Sequence, residues 1–325
     1  MGHLDSGKWV DDDAVRIDAK GGFQRDESLF RKALTADGSS GFKAEPGRYH
    51  LYVAQNCPWA HRTVIFRKLK HLESAITVSY ADKPKLHGWA FSESTDGAPQ
   101  PNNGVLYLHE VYSAAKPGYS GRVTVPTLWD KRQRTIVNNE SSEIIRMLNT
   151  EFNAFTNDHT DYYPQALRPQ IDEINKLTYE KINNGVYRSG FAKTQAAYEE
   201  ACRALFDALD KCEAILSRQR YLVGERLTEA DWRLFPTLVR FDPVYNGHFK
   251  CNIRRLADYP NLSNYTRELY QVPGIAETID IAGIKAGYYG GMPQVNPTGI
   301  VPLGPEVNFA APHDRDRFKK AALDK

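Results

Sequence analysis

One of the four cysteines stands where a thiol can do chemistry. Cys57 heads the turn Q-N-C-P-W-A, which interrupts the alternating run R-Y-H-L-Y-V-A and precedes a helical pattern of Ala60, Val64, Ile65 and Leu69. Pro58 fits the first helical position, where a missing N–H is tolerated, so Cys57 falls at or beside the N-cap. There the positive end of the helix and its unpaired N–H groups favour thiolate over thiol and give a nucleophile at neutral pH. Without that context a free cysteine reads as a small buried hydrophobe. Cys202, Cys212 and Cys251 form no C-x-x-C pair and no zinc spacing with Cys57 or with one another. Neither a disulfide framework nor a structural metal is expected, and a reducing compartment fits.

The elements that position Cys57 follow from the same stretch. The strand from Arg48, the helix after Cys57 and a second strand from Ala75 to Tyr80 make a β-α-β unit. Strand, C-P-W-A turn and helix are placed as in a thioredoxin-like site, and the distant V-P-T-L supplies Pro126, the proline that such sites keep in cis beside the Val125 backbone. A dithiol enzyme would carry its second cysteine where this chain has Ala60, so turnover needs an external thiol. Glu140-Ser141 opens a further predicted helix and offers an acid for an ammonium, and a hydroxyl with N–H groups for a carboxylate. Those are the two charges of a γ-glutamyl group, which makes glutathione the candidate thiol, as substrate, with no metal and no flavin.

Around this core, residues 1–45 read as a polar, Gly/Asp-rich arm lying over a domain, 46–150 as the thioredoxin-like domain, 165–290 as a helical domain and 291–325 as an extended tail. The Gly/Pro/Ser-rich stretch from 82 to about 121 reads as a functional loop. In the helical part, L-T-E-A-D-W places a capping box at Thr228 and Asp231, a structural device. The tail, with N-P-T-G-I-V-P-L-G-P, is suited to lying along a surface. His61, one turn past Cys57, is expected to face solvent.

Composition bounds the partners. Lys and Arg number 42 against 40 Asp and Glu in 325 residues, a formal charge of +2, so no basic field points to nucleic acid or an anionic membrane. No stretch is apolar enough to cross a bilayer. The N-terminus carries no readable export or organelle signal, and cytoplasm is the expected compartment. Met1-Gly2 with Ser6 matches an acylation pattern too short to carry weight.

Taken with Q-N-C-P-W-A-H-R, G-W-A-F, G-R-V-T-V-P-T-L-W-D, V-N-N-E-S-S-E-I-I, N-N-G-V-Y-R-S-G-F-A, L-T-E-A-D-W-R-L-F, V-Y-N-G-H-F-K-C-N and N-P-T-G-I-V-P-L-G-P, the chain resembles the glutathionyl-hydroquinone reductases, the xi-class glutathione transferases. The resemblance implies an α/β plus all-α protein, an N-terminal thioredoxin-like domain with a C-terminal helical glutathione-transferase domain, assembled as a homodimer. It implies that Cys57 is the nucleophile and that Trp89 lies over the glutathione. It further implies that Arg122, Val123, Thr124, Val125, Glu140 and Ser141 hold the glutathione, that Tyr187 is the proton donor or acceptor, and that Tyr245 and Tyr288 lie near the thiol. Two other readings stay open: an omega-like cysteine transferase acting on dehydroascorbate or mixed disulfides, and a non-catalytic module that binds partner proteins. A conventional conjugating transferase fits less well, because such enzymes activate glutathione with a hydroxyl.

Overall fold

The computed structural model describes residues 2–12, 15–82, 87–92 and 105–318. The chain divides into two compact units, the first made of 1–16, 25–160 and 282–294, the second of 17–24, 161–281 and 295–325.

The first unit begins with strands β1 (His3–Asp5) and β2 (Lys8–Val10). Two short strands, β3 (Arg16–Ile17) and β4 (Phe23–Gln24), then pair with each other, and of these Ile17 and β4 belong to the second unit. Next come β5 (Tyr49–Val53), α1 (Pro58–Leu69) and β6 (Ile76–Tyr80), the expected β-α-β unit, with β5 and β6 parallel from Tyr49↔Ile76 to Val53↔Tyr80. All five residues of β5 are buried, although its sequence alternates like a half-exposed strand. Its polar member His50 is accommodated because Nδ1 lies 2.7 Å from Thr77 Oγ1 on the neighbouring strand.

The stretch read as a long loop is more structured than its composition suggests. It holds the two-residue strands β7 (Ala90–Phe91) and β8 (Leu106–Tyr107), the helix α2 (Leu108–Ala115) and the strand β9 (Gly121–Arg122). Glu110 caps α2 by accepting from the Tyr107 N–H at 2.8 Å. Residues 83–86 and 93–104 of that stretch lie outside the described residues.

The strands β10 (Thr127–Asp130) and β11 (Thr135–Asn138) follow, and then the helix α3 (Ser141–Thr150), which packs on α1. The main sheet runs β11-β10-β5-β6, with β10 antiparallel to β5. Where β5 meets β10, Arg48 Nε donates to both Asp130 oxygens at 3.1 Å, a buried forked pair. The arm is woven into this unit rather than laid over it. Its β1 pairs with both β2 and β9, and Leu4, Leu34, Phe42 and Ala44 are buried.

The second unit is helical: α4 (Arg168–Thr178), α5 (Gly185–Phe191), α6 (Gln195–Leu216), α7 (Glu229–Arg240), α8 (Asn246–His248) and α9 (Pro260–Tyr270). The capping box expected at α7 is present. Asp231 Oδ2 accepts from the Thr228 N–H at 2.8 Å and its hydroxyl at 3.0 Å. Oδ1 takes the Leu222 N–H at 2.9 Å and the Tyr265 hydroxyl at 2.7 Å. The tail follows a surface for most of its course but does join the core at one point. Arg315 is fully buried and its guanidinium donates to the carbonyls of Leu216 at 2.7 Å and Arg220 at 2.5 Å. The end of α6 has carbonyls with no helical donor, and the arginine supplies one. A last helix, α10 (Ile281–Tyr289), returns to the first unit from Ala282 onward.

Candidate active site

Cys57 is the N-cap of α1, with extended backbone at φ −78° and ψ 114°. Its sulfur accepts from the Ala60 N–H at 3.5 Å, and its S–H donates to the Val125 carbonyl at 3.4 Å. The Val125–Pro126 bond is cis, as the sequence suggests. The first turn of α1 holds no acidic residue, while Arg67 and Lys68 lie in its last turn, so nothing negative within the helix offsets its positive end at the sulfur. Two guanidiniums bracket Trp59, Arg25 at 4.9 Å and Arg62 at 4.6 Å from the indole centroid.

The remaining cysteines are unlike it. Cys57 is half-buried and the other three are buried. Burial pushes the Cys202 and Cys251 thiols up and takes Cys212 up to about 12. One sulfur of the four is therefore both reachable and set against a helix start. His61 does not face solvent as expected. It is buried, since nine of the twelve residues of α1 are, and the helix has no open face one turn on.

Glu140 is the N-cap of α3. Its Oε1 accepts from the Ser142 N–H at 3.0 Å and hydroxyl at 2.9 Å, and Oε2 accepts from Ser28 at 3.3 Å. These bonds use three of roughly four lone-pair positions of a carboxylate, and the side chain is half-exposed, so an ammonium can still be taken. Beside it Ser141 is buried, and its hydroxyl accepts from the buried Arg62 at 3.3 Å. Arg62 thus links the starts of α1 and α3 and puts a cation where a carboxylate would meet the N–H groups of α3. The sequence reading missed it; its one signal was a charged residue in the first two turns of a helix, ahead of the apolar run Val64-Ile65-Phe66.

Of the stretch Arg122–Val125, the structure commits most of the backbone internally. Tyr112, a second residue the sequence did not single out, donates its hydroxyl to the Thr124 carbonyl at 2.9 Å and accepts the Thr124 N–H at 3.2 Å. Asn139 steadies that hydroxyl from 2.9 Å. Arg122 pairs with His3 of β1, and its carbonyl accepts from Tyr119 at 3.0 Å. Val123 is buried. Val125 is the member whose carbonyl meets the sulfur of Cys57. Trp89 is buried, and its carbonyl receives the N–H of Leu108, the first residue of α2, at 2.9 Å.

Tyr288 is buried in α10, which lies against the turn leading into Cys57. A Cβ on its neighbour Gly287 would stand 2.7 Å from the Cβ of Asn56. Tyr187 and Tyr245 belong to the helical unit, where their rings are 6.1 Å apart and both contact Phe249, at 5.4 and 5.6 Å. Each adjoins a π-helical turn that the sequence did not predict. Tyr179–Asn183 leads into α5, and Phe241–Tyr245 follows α7. Such turns concentrate at functional positions.

The arrangement sets a thiol at one helix start, where the Ala60 N–H and the positive helix end favour its ionised form, and can capture a γ-glutamyl group at a second helix start. Among the described residues no group of side chains is arranged to hold a metal ion, and no helix is long and apolar enough to cross a membrane. Comparison with known proteins agrees with this chemistry. The family description "Glutathione S-transferase, N-terminal domain" matches residues 56–151, and "Glutathione S-transferase, C-terminal domain" matches 195–268. Glutathionyl-hydroquinone reductase PcpF of Sphingobium chlorophenolicum is 55% identical over 306 residues, 94% of this chain and 96% of its own. Glutathionyl-hydroquinone reductase YqjG of Escherichia coli K12 is 50% identical over 97% of this chain and 99% of its own. The solved structure of a Xi Class GST from Natrialba magadii superposes with a TM-score of 0.88 at 46% identity, covering 98% of this chain and 97% of that one. The glutathione-bound structure of YqjG gives 0.87 at 48% identity, covering 97% and 99%.

Proposed function

The chain belongs to the glutathionyl-hydroquinone reductases, the xi class of glutathione transferases, and from that membership we propose that it reduces glutathionyl-hydroquinones with glutathione, using Cys57 as nucleophile. The observation that carries the assignment to Cys57 is its half-buried sulfur at the start of α1, 3.5 Å from the Ala60 N–H and 3.4 Å from the Val125 carbonyl.

The Cys57 thiolate attacks the sulfur of the conjugate. A Cys57–S–S–glutathione bond forms, the aromatic carbon–sulfur bond breaks, and the carbon takes up a proton, for which Tyr187 is the donor. Hydroquinone leaves. A second glutathione, as thiolate, attacks the mixed disulfide, releasing oxidised glutathione and restoring the Cys57 thiolate in a ping-pong cycle. Glu140 and Ser141, with Arg62 behind the serine, take the γ-glutamyl ammonium and carboxylate. Val125 pairs with the peptide backbone and Trp89 covers it, while Arg122, Val123 and Thr124 hold Val125 in place. Tyr245 and Tyr288 help to lower the thiol pKa. Residues 46–150 form the glutathione-binding domain, 165–290 the helical domain, 1–45 the arm and 291–325 the tail, in a cytoplasmic homodimer whose mass light scattering would measure.

Turnover of a glutathionyl-naphthohydroquinone by the unaltered protein and Cys57→Ser side by side tests the assignment. Product from the unaltered enzyme and none from the variant is expected; equal rates would remove Cys57 from the mechanism. Tyr187→Phe separates this reading from disulfide exchange alone. Hydroquinone release should fall about a hundredfold, in the range that proton transfer contributes, while reduction of a small mixed disulfide persists.

A further inference from the structure

Residues 2–12 carry no part of the thiol chemistry, yet they touch both walls of the candidate glutathione site. On one side β1 runs antiparallel to β9, with His3 opposite Arg122 and Leu4 opposite Gly121, immediately before Val123. The Ser6 N–H adds a bond to the Ser120 hydroxyl at 2.8 Å, and the Gly7 N–H one to the Tyr119 carbonyl at 2.9 Å. Asp12 and Asp26 lie 3.8 and 3.5 Å from the Arg122 guanidinium.

On the other side Trp9 stands against the residues that bracket Trp89. Its indole stacks on His109 at 4.6 Å, in the first turn of α2, whose leading N–H is bonded to the Trp89 carbonyl. Its outer edge fills the space beside Gly88, where a Cβ would come within 2.9 Å of Trp9 Cζ2. Gly88 also has φ +95°, so two independent constraints demand glycine there. The next carboxylate along the arm, Asp11, meets His87 Nδ1 at 2.7 Å. The arm therefore bridges two segments that are distant in sequence, His87-Gly88 and 119–122, which lead directly into Trp89 and Val123.

We propose that Trp9 is a positioning residue for glutathione: it fixes the Gly88-Trp89 backbone while β1 fixes the approach to Val125, so that the tripeptide enters a preformed slot. The inference rests on the reading of Trp89 and Val125 as glutathione-binding. Preorganisation of this kind acts on affinity, because ordering that the arm has already imposed is not charged again when the ligand binds. Trp9 itself stacks on His109 and fills the space beside Gly88, so the intrinsic reactivity of Cys57 should not depend on it.

The test is glutathione affinity by calorimetry, measured with the rate of Cys57 alkylation by iodoacetamide in the absence of glutathione. Trp9→Ala should raise the glutathione Kd about tenfold and leave alkylation unchanged, and Trp9→Phe, which keeps an aromatic ring beside Gly88, should recover most of the affinity. His87→Ala, at an exposed pair that cannot threaten the fold, should raise Kd about threefold. An unchanged Kd in Trp9→Ala would overturn the proposal. So would parallel changes in Kd and alkylation, because that pattern marks general damage. If the unaltered protein binds no glutathione and its Cys57 takes up none from oxidised glutathione, the functional reading fails first and this inference with it.

Discussion

Helices α1 and α7 both begin at a capping residue, and their two starts have opposite fates. At α7 the caps are oxygens, Thr228 as the N-cap and Asp231, in the first turn, as its capping-box partner. Asp231 is fully buried and accepts four hydrogen bonds, from the Thr228 N–H and hydroxyl, the Leu222 N–H and the Tyr265 hydroxyl, at 2.7 to 3.0 Å. At α1 the cap is sulfur, half-buried, accepting a long bond of 3.5 Å from Ala60. The same positive helix end is thus consumed in one place and left available in the other. A strong, enclosed acceptor spends the field on stability. A weak acceptor within reach of solvent keeps the field for a charge that appears during reaction.

That contrast can be broken in graded steps. Cys57→Ser should cost the most, lowering hydroquinone turnover by on the order of a thousandfold or more, because an alcohol at this position is not ionised and cannot form the mixed disulfide. Steady-state rates decide it, and retention of activity would show that the α1 start carries no chemistry. Asp231→Ala should have the reverse profile. It strips the acceptor from four buried donor groups, on Leu222, Thr228 and Tyr265, and should destabilise the protein by about 3 kcal/mol or more in chemical denaturation, with kcat of the folded fraction unchanged. In the same assay Cys57→Ala should cost less than about 1 kcal/mol, since a sulfur cap contributes little to hold α1 in place. If the two alanine variants were equally destabilised, the distinction between a spent and an available helix end would fail.

A smaller effect sharpens the comparison through pH. Burial lowers His248, in the helical unit, to about 4, so it is neutral in the folded protein over a range where the unfolded chain holds a proton. Its folded pKa lies below the ordinary 6.5, and stability should fall as pH drops through the window from 6.5 to about 4, by roughly 3 kcal/mol in all. Urea midpoints measured across that window should show the loss, and His248→Gln should flatten it. His248 is not among the groups assigned a role at Cys57, and on that assignment the variant should leave the pH profile of turnover unchanged.

Much of the candidate site was legible because its signals are local. The turn before α1, the proline after Val125 and the start of α3 each declare themselves within a few residues, through the absence of an N–H, the break of an alternating pattern or a polar residue before an apolar run. The missing second thiol at Ala60 was equally plain. Less legible were Tyr112, which holds Thr124 through a single hydroxyl, and Arg62, which reaches Ser141 79 positions further along. A tyrosine or arginine that will brace a backbone looks no different in sequence from one that will face water.

The arm illustrates the division most sharply. Its polarity suggested a covering segment, and nothing in its composition foretold that His3 would pair with Arg122 or that Trp9 would fill the space beside Gly88. By itself the sequence determined which atoms could react, because a thiol at a helix start and a proline beside a strand are properties of short stretches of chain. The tertiary structure decided which backbone groups are spent and which remain for a ligand, because hydrogen-bond partners and packed rings come from segments a hundred residues apart, brought together only by the fold.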